Sequence, residues 1–186
     1  SYASGLQSIV TVSNSNTVAA ATNWDNLYVG IGNANQLIKS ATDIVSTNAA
    51  IKKTALGEGY FLRAYNYLKL NSQYGGVPLK LDVSTTVELE FKRATSQEVL
   101  NQVIADFTQA YNLLSNTGGP GKITKDAAAH YLAKAYLARA SEINDSWNSA
   151  TKTADLQQVV TLADQVIANH PLAANFAELW NFTGAD

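Results

Sequence analysis

Histidine and cysteine, the residues that most often bind metals or act as nucleophiles, are scarce in this chain. There is no cysteine, which excludes disulfides, thiolate catalysis and cysteine-ligated zinc or iron–sulfur centres. The two histidines are His130 and His170. Asp126 precedes His130 by one helical turn, so two ligands could share a face, but a metal site needs further ligands and none is within reach in the sequence. We therefore predict that both histidines are structural and that the chain holds no metal and no cofactor.

Acidic residues could supply the paired carboxylates of a glycoside hydrolase, which lie about 5–10 Å apart. The chain has 15 of them, and only Glu88 and Glu90 lie close together in a predicted loop. The motifs of serine hydrolases, phosphate-binding loops and dinucleotide-binding folds are absent from the sequence. We predict no catalytic residue and no enzymatic activity. One alternative stays open, because two buried carboxylates converging in a cleft would still form a hydrolase.

Aromatic rings are the other candidates for ligand contact, because the apolar C–H faces of sugar rings stack against them. Trp24 and Tyr28 are four residues apart in a predicted helix, a spacing that favours core packing. Trp147 lies in a polar segment, residues 144–149, and is the best candidate for an exposed ring. We predict ligand contact for Trp147 and Tyr74. The aromatic residues considered outside the obvious core are Tyr2, Trp24, Tyr28, Tyr74, Phe91 and Trp147.

Arg63 lies in the most apolar predicted helix, where a guanidinium must be paired or must reach the solvent. An unpaired buried charge is costly, so we predict that Arg63 forms a structural ion pair with a carboxylate on a neighbouring turn or helix. Two partners are candidates from the sequence, Glu58 and Asp106.

The composition of the 186 residues favours helices and argues against nucleic-acid binding. Hydrophobic residues make up 46% of the chain and charged residues 15%, and alanine, the best helix former, carries much of the hydrophobic fraction. The formal net charge is −2, and no basic run is longer than Lys52–Lys53. Nucleic-acid binding needs a concentrated basic face, so we predict no nucleic-acid partner.

Periodicity, caps and breaks predict one all-α domain over residues 1–186. Thr95–Glu98 forms a capping box and Thr124 a further N-cap. Helix pairs with alanine and tyrosine at close-packing positions predict tetratricopeptide-like hairpins stacked in an α-α superhelix, with one long irregular connector. The predicted segments are an irregular lead-in at 1–17, helices at 18–40, 48–74, 97–114, 124–143 and 154–169, the connector at 75–93, and a tail at 172–186 that packs back through Phe176, Leu179, Trp180 and Phe182.

Four ordered blocks of residues carry a family pattern. They are Trp24–Tyr28 with Ile31, Asn35 and Leu37; Glu58–Ala64 followed by Tyr74–Leu79; Arg93–Val99 with Ile104, Asp106 and Ala110; and Gly121–Ala128 with Leu132–Leu137. In residue types and spacing these blocks resemble the SusD/RagB family, and the most specific of them is the second. The resemblance covers the chain from Trp24 onward.

The resemblance implies an exported lipoprotein at the surface of the outer membrane. Such a protein binds glycans or other nutrients without catalysis and delivers them to a SusC-like TonB-dependent transporter, so the implied partners are that transporter and an oligosaccharide or polysaccharide. In the family these blocks build a helical scaffold, and most sugar contacts come from loops before it and from a C-terminal half beyond Asp186. The chain is then expected to be a scaffold portion of a larger protein, with its lipid anchor outside the chain.

A second function fits the predicted architecture without the resemblance. Stacked helical hairpins form concave grooves, and a helical-repeat adaptor would bind a protein partner there. An exposed strip of tyrosine and asparagine side chains on the inner helices would favour this adaptor. A cluster of aromatic residues in loops would instead favour glycan binding.

Overall fold

The computed structural model describes residues 14–45, 48–86, 90–117, 119, 121–172 and 175, with side chains from residue 23 onward. Over these ranges there is no β-strand, and the all-α prediction is confirmed. None of the described helices is long and apolar enough to cross a membrane. The helices are α1 (Asn14–Asp43), α2 (Ala49–Tyr74), α3 (Ser96–Leu113), α4 (Lys125–Ala140) and α5 (Lys152–Asn169), with a short 3-10 helix, Glu142–Asn144, between the last two.

Side-chain caps set the starts of three helices. Asn48 caps α2, and Thr95 with Glu98 forms the predicted capping box at the start of α3. Thr124 caps α4, because its hydroxyl accepts a hydrogen bond of 3.2 Å from the backbone N–H of Ala127. Each cap joins residues that are only three apart in the sequence. Both predicted caps, at Thr95 and Thr124, are confirmed.

Most helix boundaries differ from the prediction by one to four residues, and two of the larger differences have a local cause. α1 begins at Asn14, so residues 14–17 of the predicted irregular lead-in are helical, since serine, asparagine and threonine are well tolerated in a first turn. α4 ends at Ala140 rather than near residue 143, because Asn144 and Asn148 donate to carbonyl groups at its C-terminal end. Residues 1–13 and the tail residues Phe176, Leu179, Trp180 and Phe182 lie outside the described residues.

Successive helices pack antiparallel. Asn23, in the first half of α1, donates to Gln73 at the end of α2. Ile38, near the end of α1, lies against Gly59 in the first half of α2, so the two helices run in opposite directions. α2 also touches α4 across α3, so the helices form a stack of hairpins, as predicted. The same reversed order relates Phe61 to Phe107, Asn71 to Ser96, Asn101 to Arg139, Asp126 to Gln165 and Arg139 to Asp155.

The core is an aromatic cluster between helices that approach closely. The ring of Phe61 in α2 lies 5.4 Å from that of Phe107 in α3 and 5.5 Å from that of Tyr131 in α4, edge to face in both cases. Gly57 lets α2 come close to the end of α3, because a Cβ on this residue would lie 2.7 Å from the Cγ atom of Leu114. Small residues at such contacts bring the backbones near enough for the large side chains to interlock.

The connector between α2 and α3 forms a loop with joined ends. Gly75, with φ of +69°, turns the chain at the end of α2. Gly76 packs against the start of α3 so tightly that a Cβ would lie 2.1 Å from the carbonyl oxygen of Ala94. The N–H of Ala94 donates to the carbonyl of Val77 at 3.1 Å, and Arg93 donates to the carbonyl of Gly76. The chain therefore leaves the stack and returns to it at one point.

Candidate functional site

The first part of this loop, residues 77–82, is here called the inner limb. Pro78 prevents it from being helical, so its carbonyl groups need partners outside a helix. The hydroxyl of Tyr28 donates to the carbonyl of Pro78 at 2.7 Å, and that of Tyr67 donates to the carbonyl of Lys80 at 3.0 Å. The N–H of Lys80 in turn donates to Tyr67. Side chains of α1 and α2 thus hold an extended segment in place.

Asn35 adds a second set of bonds to the inner limb. It is buried in α1, and its amide donates to the carbonyls of Lys80 at 3.0 Å and Asp82 at 3.1 Å. Its own carbonyl oxygen accepts a 3.0 Å bond from Arg63, which also donates to the carbonyl of Leu81 at 2.8 Å. Every described bond of Asn35 therefore either holds the limb or links it to α2.

Arg63 joins the limb to the helical stack through an ion pair with Asp106 in α3. Two parallel bonds form the pair, from Nε to Oδ2 at 2.7 Å and from Nη2 to Oδ1 at 2.8 Å. The predicted ion pair is confirmed, with Asp106 and not Glu58 as the partner. Burial opposes the charged guanidinium, but the bonds and charge of Asp106 outweigh it and raise the pKa of Arg63. The side-chain amide of Gln102 donates a further hydrogen bond of 2.9 Å to Oδ1 of Asp106.

Tyr28 and Tyr67, the two tyrosines that bond the inner limb, act as neutral hydrogen-bond donors. Burial raises the pKa of Tyr67 to about 12, although its bond to the backbone of Lys80 works in the opposite direction. Burial likewise raises the pKa of Tyr28, and the nearby Tyr67 adds to the increase. Both phenols therefore keep their protons at neutral pH and can donate to carbonyl groups.

Three cavities adjoin the loop, and Asp82 and Val83 line all of them. One, of about 370 Å³, lies between the inner limb and residues 90–92 on the returning side. The others, of about 320 Å³ and 380 Å³, lie between the limb and α1. The ring of Phe91 lines the first cavity, 47% of this residue is exposed, and the ammonium of Lys80 lies 3.8 Å from the ring centroid.

The two predicted ligand contacts lie on different elements of the stack. Tyr74, at the end of α2, is half-buried, and its ring packs edge-on against Trp24 at 5.0 Å. Trp147 lies in the turn between the 3-10 helix and α5 and is also half-buried, not fully exposed as its polar neighbours suggest. Asn148 beside it points inward, because its amide caps α4 by donating to the carbonyls of Arg139 and Ser141.

The histidines do not form the pairing that the sequence suggested. His130 is exposed, with its ring edge-on to Tyr131. The carboxylate of Asp126 instead lies 3.1 Å from Nε2 of His170 and accepts bonds from Gln165 and Asn169 in α5. Among the described residues, no three histidine, aspartate or glutamate side chains gather as metal ligands would.

The buried carboxylates are separated from one another. Asp106 pairs with Arg63, and Asp155 pairs with Arg139 through bonds of 2.8 Å and 2.6 Å. Asp126 lies in its own cluster at the start of α4. Each is buried for a structural purpose, so these groups form no converging pair of the kind a hydrolase needs. Glu90 is exposed, and Glu88 lies outside the described residues.

Sequence reasoning missed the role of the limb-binding side chains. The sequence predicts core packing for Tyr28, and nothing in the spacing of Tyr28 and Tyr67 indicates that their hydroxyls bond a distant backbone. Asn35 offered a signal, because a polar residue among the apolar positions Ile31 and Ala34 must find hydrogen-bond partners if it is buried. Its partners lie 45 and 47 residues further along the chain.

Comparison with known protein families gives one match that covers most of the chain. The sequence profile of a SusD-like family, described as starch-binding and associating with the outer membrane, matches residues 2–137. A SusD-like protein of Bacteroides ovatus is 28% identical over 166 residues, which are 86% of this chain and 30% of the relative. SusD-like protein P38 of Formosa agariphila is 34% identical over 89 residues, 47% of this chain and 17% of that protein.

Solved structures share the helical stack. A structure with xylogluco-oligosaccharide superposes with a TM-score of 0.75 at 26% identity and covers 87% of this chain and 32% of its own. A laminarin-binding SusD-like protein superposes with a TM-score of 0.73 at 22% identity, covering 87% of this chain and 34% of its own, which supports the shared fold. The chain thus spans between 17% and 34% of the length of these four relatives.

Proposed function

Because the chain belongs to the SusD-like family, whose profile matches residues 2–137, we propose that it serves in the binding of glycans without altering them. The family itself is described as starch-binding and associated with the outer membrane. The observation that carries the proposal is the solved structure with xylogluco-oligosaccharide, which is 26% identical and covers 87% of this chain. The glycan that this chain takes is a soluble oligosaccharide or polysaccharide.

The carboxylates support binding without catalysis. Hydrolysis of a glycosidic bond needs two nearby carboxylates, one of which holds a proton near neutral pH. Asp106 and Asp155 are each held in a buried structural ion pair, with Arg63 and Arg139 respectively. For Asp126, burial works to raise the pKa, but hydrogen bonds from Asn169 and Gln165 outweigh it, so the pKa is lowered. None of the three has the environment of a general acid.

Delivery to a transporter is the second part of the proposal. We place the complete protein at the cell surface as a lipoprotein of the outer membrane, with a SusC-like TonB-dependent transporter as its partner. The description of the family as associated with the outer membrane supports this location. The rigid stack of helical hairpins suits a scaffold role, since stacked hairpins present extended surfaces.

Trp147 and Tyr74 are kept as proposed ligand contacts. Each is half-buried, so part of each ring is available. The ring of Tyr74 is held in place by its packing on Trp24.

Native affinity electrophoresis tests the proposal, with this chain and the complete gene product run side by side in gels containing soluble starch, xyloglucan or laminarin. Retardation of the complete product on at least one glycan is the expected result. Retardation of this chain as well would locate a ligand site within its residues. If neither form is retarded on any glycan, the glycan proposal is overturned and the protein-adaptor alternative takes its place.

The transporter partner is tested separately. The complete gene product, isolated from its own outer membrane after mild detergent extraction, is expected to bring a TonB-dependent transporter with it. Isolation without any such transporter would overturn the delivery part and leave the glycan part standing.

A further inference from the structure

The cavity between the inner limb and residues 90–92 has the size and lining of a small binding site. Its volume of about 370 Å³ lies at the lower end of the range for ligand pockets, about 300–1,000 Å³. One exposed aromatic ring, Phe91, stands among polar groups of both signs: Lys80 and Lys92 are cations, and Asp82 and Glu90 are carboxylates. A hydroxyl, that of Ser84, also lines it.

We propose that this cavity is a sugar subsite in which the ring of Phe91 stacks on a pyranose and the charged side chains around it bond the sugar hydroxyls. The inference rests on the proposed glycan function and names a site for it within this chain. The site lies in the loop between α2 and α3, and neither Trp147 nor any residue of α1 lines it.

The charges of the lining favour a neutral ligand with many hydroxyls. Two cations and two carboxylates give the lining no net charge, so an anionic or cationic ligand gains no overall attraction. Hydroxyl groups, in contrast, both donate and accept, so they can bond Asp82 and Glu90 as acceptors and Lys92 as a donor. The apolar face of a sugar ring then covers Phe91, which removes apolar surface from water.

The position of Phe91 is constrained by what packs on it. The ammonium of Lys80 lies over the ring at 3.8 Å from its centroid, and nearly half of Phe91, 47%, is exposed. This cation covers one face of the ring and orients it, so a pyranose would stack on the other face.

The site is preorganised on its other side as well. Side chains of α1 and α2 donate hydrogen bonds to four carbonyls of the limb, those of Pro78, Lys80, Leu81 and Asp82. These carbonyls therefore do not compete with the lining side chains as acceptors for the ligand hydroxyls. The ends of the loop are joined where Ala94 donates to Val77. Binding to a segment that is already ordered avoids most of the conformational entropy that a mobile loop would lose.

Three variants of Phe91 test the subsite in the complete gene product. Calorimetric titration uses whichever of soluble starch, xylogluco-oligosaccharide or laminarin retards the wild type in affinity gels. Phe91→Ala should weaken binding about tenfold or more, as truncation of a central aromatic contact does. The affinity of Phe91→Leu should fall between those of Phe91→Ala and the wild type, because leucine keeps apolar area but has no flat ring. Phe91→Tyr keeps the ring and should bind within about twofold of the wild type.

Controls separate loss of a contact from loss of structure. Ile143, 87% exposed in the 3-10 helix after α4, is an apolar residue that does not line the cavity, so Ile143→Ala should leave affinity unchanged. Glu90→Gln removes one acceptor charge at the exposed rim and should lower affinity without changing the unfolding temperature. This second variant keeps the inference testable if Phe91→Ala is unstable.

The outcomes are distinct. A wild type that binds glycan, with Phe91→Ala and Glu90→Gln binding equally well, would overturn the subsite and leave the proposed function intact. A complete gene product that binds none of the three glycans would overturn both. Weakened binding in Phe91→Ala with retained binding in Phe91→Tyr supports the subsite.

Discussion

Replacing Arg63 with methionine should destabilise the chain strongly, because it leaves the carboxylate of Asp106 buried without its cation. The two side chains are only 7% and 3% exposed, so solvent cannot take the place of the missing charge. Removal of one member of a buried ion pair costs about 3–5 kcal/mol. The bonds from Arg63 to Leu81 and Asn35 are lost as well, each worth about 1 kcal/mol. Contributions within one network are not additive, so we expect a total loss of about 4–5 kcal/mol.

Urea unfolding followed by circular dichroism measures this loss. With a slope of about 2 kcal/mol per molar urea, the midpoint should fall by about 2 M while the slope stays the same. In thermal unfolding the same loss corresponds to about 9–18 °C for a chain of this size. Arg63→Lys keeps the charge but loses the bidentate geometry, so its urea midpoint should lie between those of the wild type and Arg63→Met.

A double variant and a surface control make the reasoning refutable. Arg63→Met combined with Asp106→Leu leaves no unpaired charge, so it should be more stable than Arg63→Met alone by about 2 kcal/mol. The exposed pair of Lys39 and Asp43 is the control, and Lys39→Met should leave the midpoint unchanged. A loss under about 1 kcal/mol for Arg63→Met would refute the argument. So would a double variant whose loss equals the sum of the two single losses.

Three further changes probe the loop and the end of the stack. Tyr67→Phe removes the donor to Lys80 from a fully buried site and should cost about 1–3 kcal/mol in urea unfolding; an unchanged midpoint would mean that the limb does not depend on this bond. Gly76→Ala places a methyl group 2.1 Å from the carbonyl of Ala94 and should cost about 1–3 kcal/mol, whereas Gly32→Ala, in open space on α1, should stabilise by about 0.5–1 kcal/mol; equal effects of the two would contradict the tight contact at Gly76. Because the pKa of Asp126 is lowered from its ordinary 3.8 in the folded chain, its contribution to stability is complete above that value and is lost as the pH falls below it. Asp126→Asn should therefore lose less stability than the wild type between about pH 4 and pH 2, and parallel curves for the two proteins would argue against the lowered pKa.

Features that depend on neighbouring residues were predictable from the sequence. The capping box of Thr95 and Glu98 needs only residues three apart, and both of its bonds form. The ion pair of Arg63 was predictable for a different reason, since a charge in an apolar helix has few ways to be stable. The choice between Glu58 and Asp106 required the packing of α3 on α2, which no local pattern contains.

Features that depend on distant contacts were not predictable. The exposure of Phe91 follows from a closed loop, and that loop depends on the contact of Gly76 with Ala94, 18 residues away. Phe91 was therefore one aromatic candidate among several in the sequence. Trp147 illustrates the opposite case. Its polar neighbours predict an exposed ring, but Asn144 and Asn148 turn inward to cap α4, and composition does not separate a capping asparagine from a solvated one.

The most direct test of the central claim combines binding and catalysis in one sample of the complete gene product. Calorimetric titration with soluble starch, xylogluco-oligosaccharide and laminarin would be followed by measurement of new reducing ends after prolonged incubation. The account predicts saturable binding of at least one glycan and no increase in reducing ends over the protein-free control. Absence of binding to all three, or release of reducing ends, would contradict it.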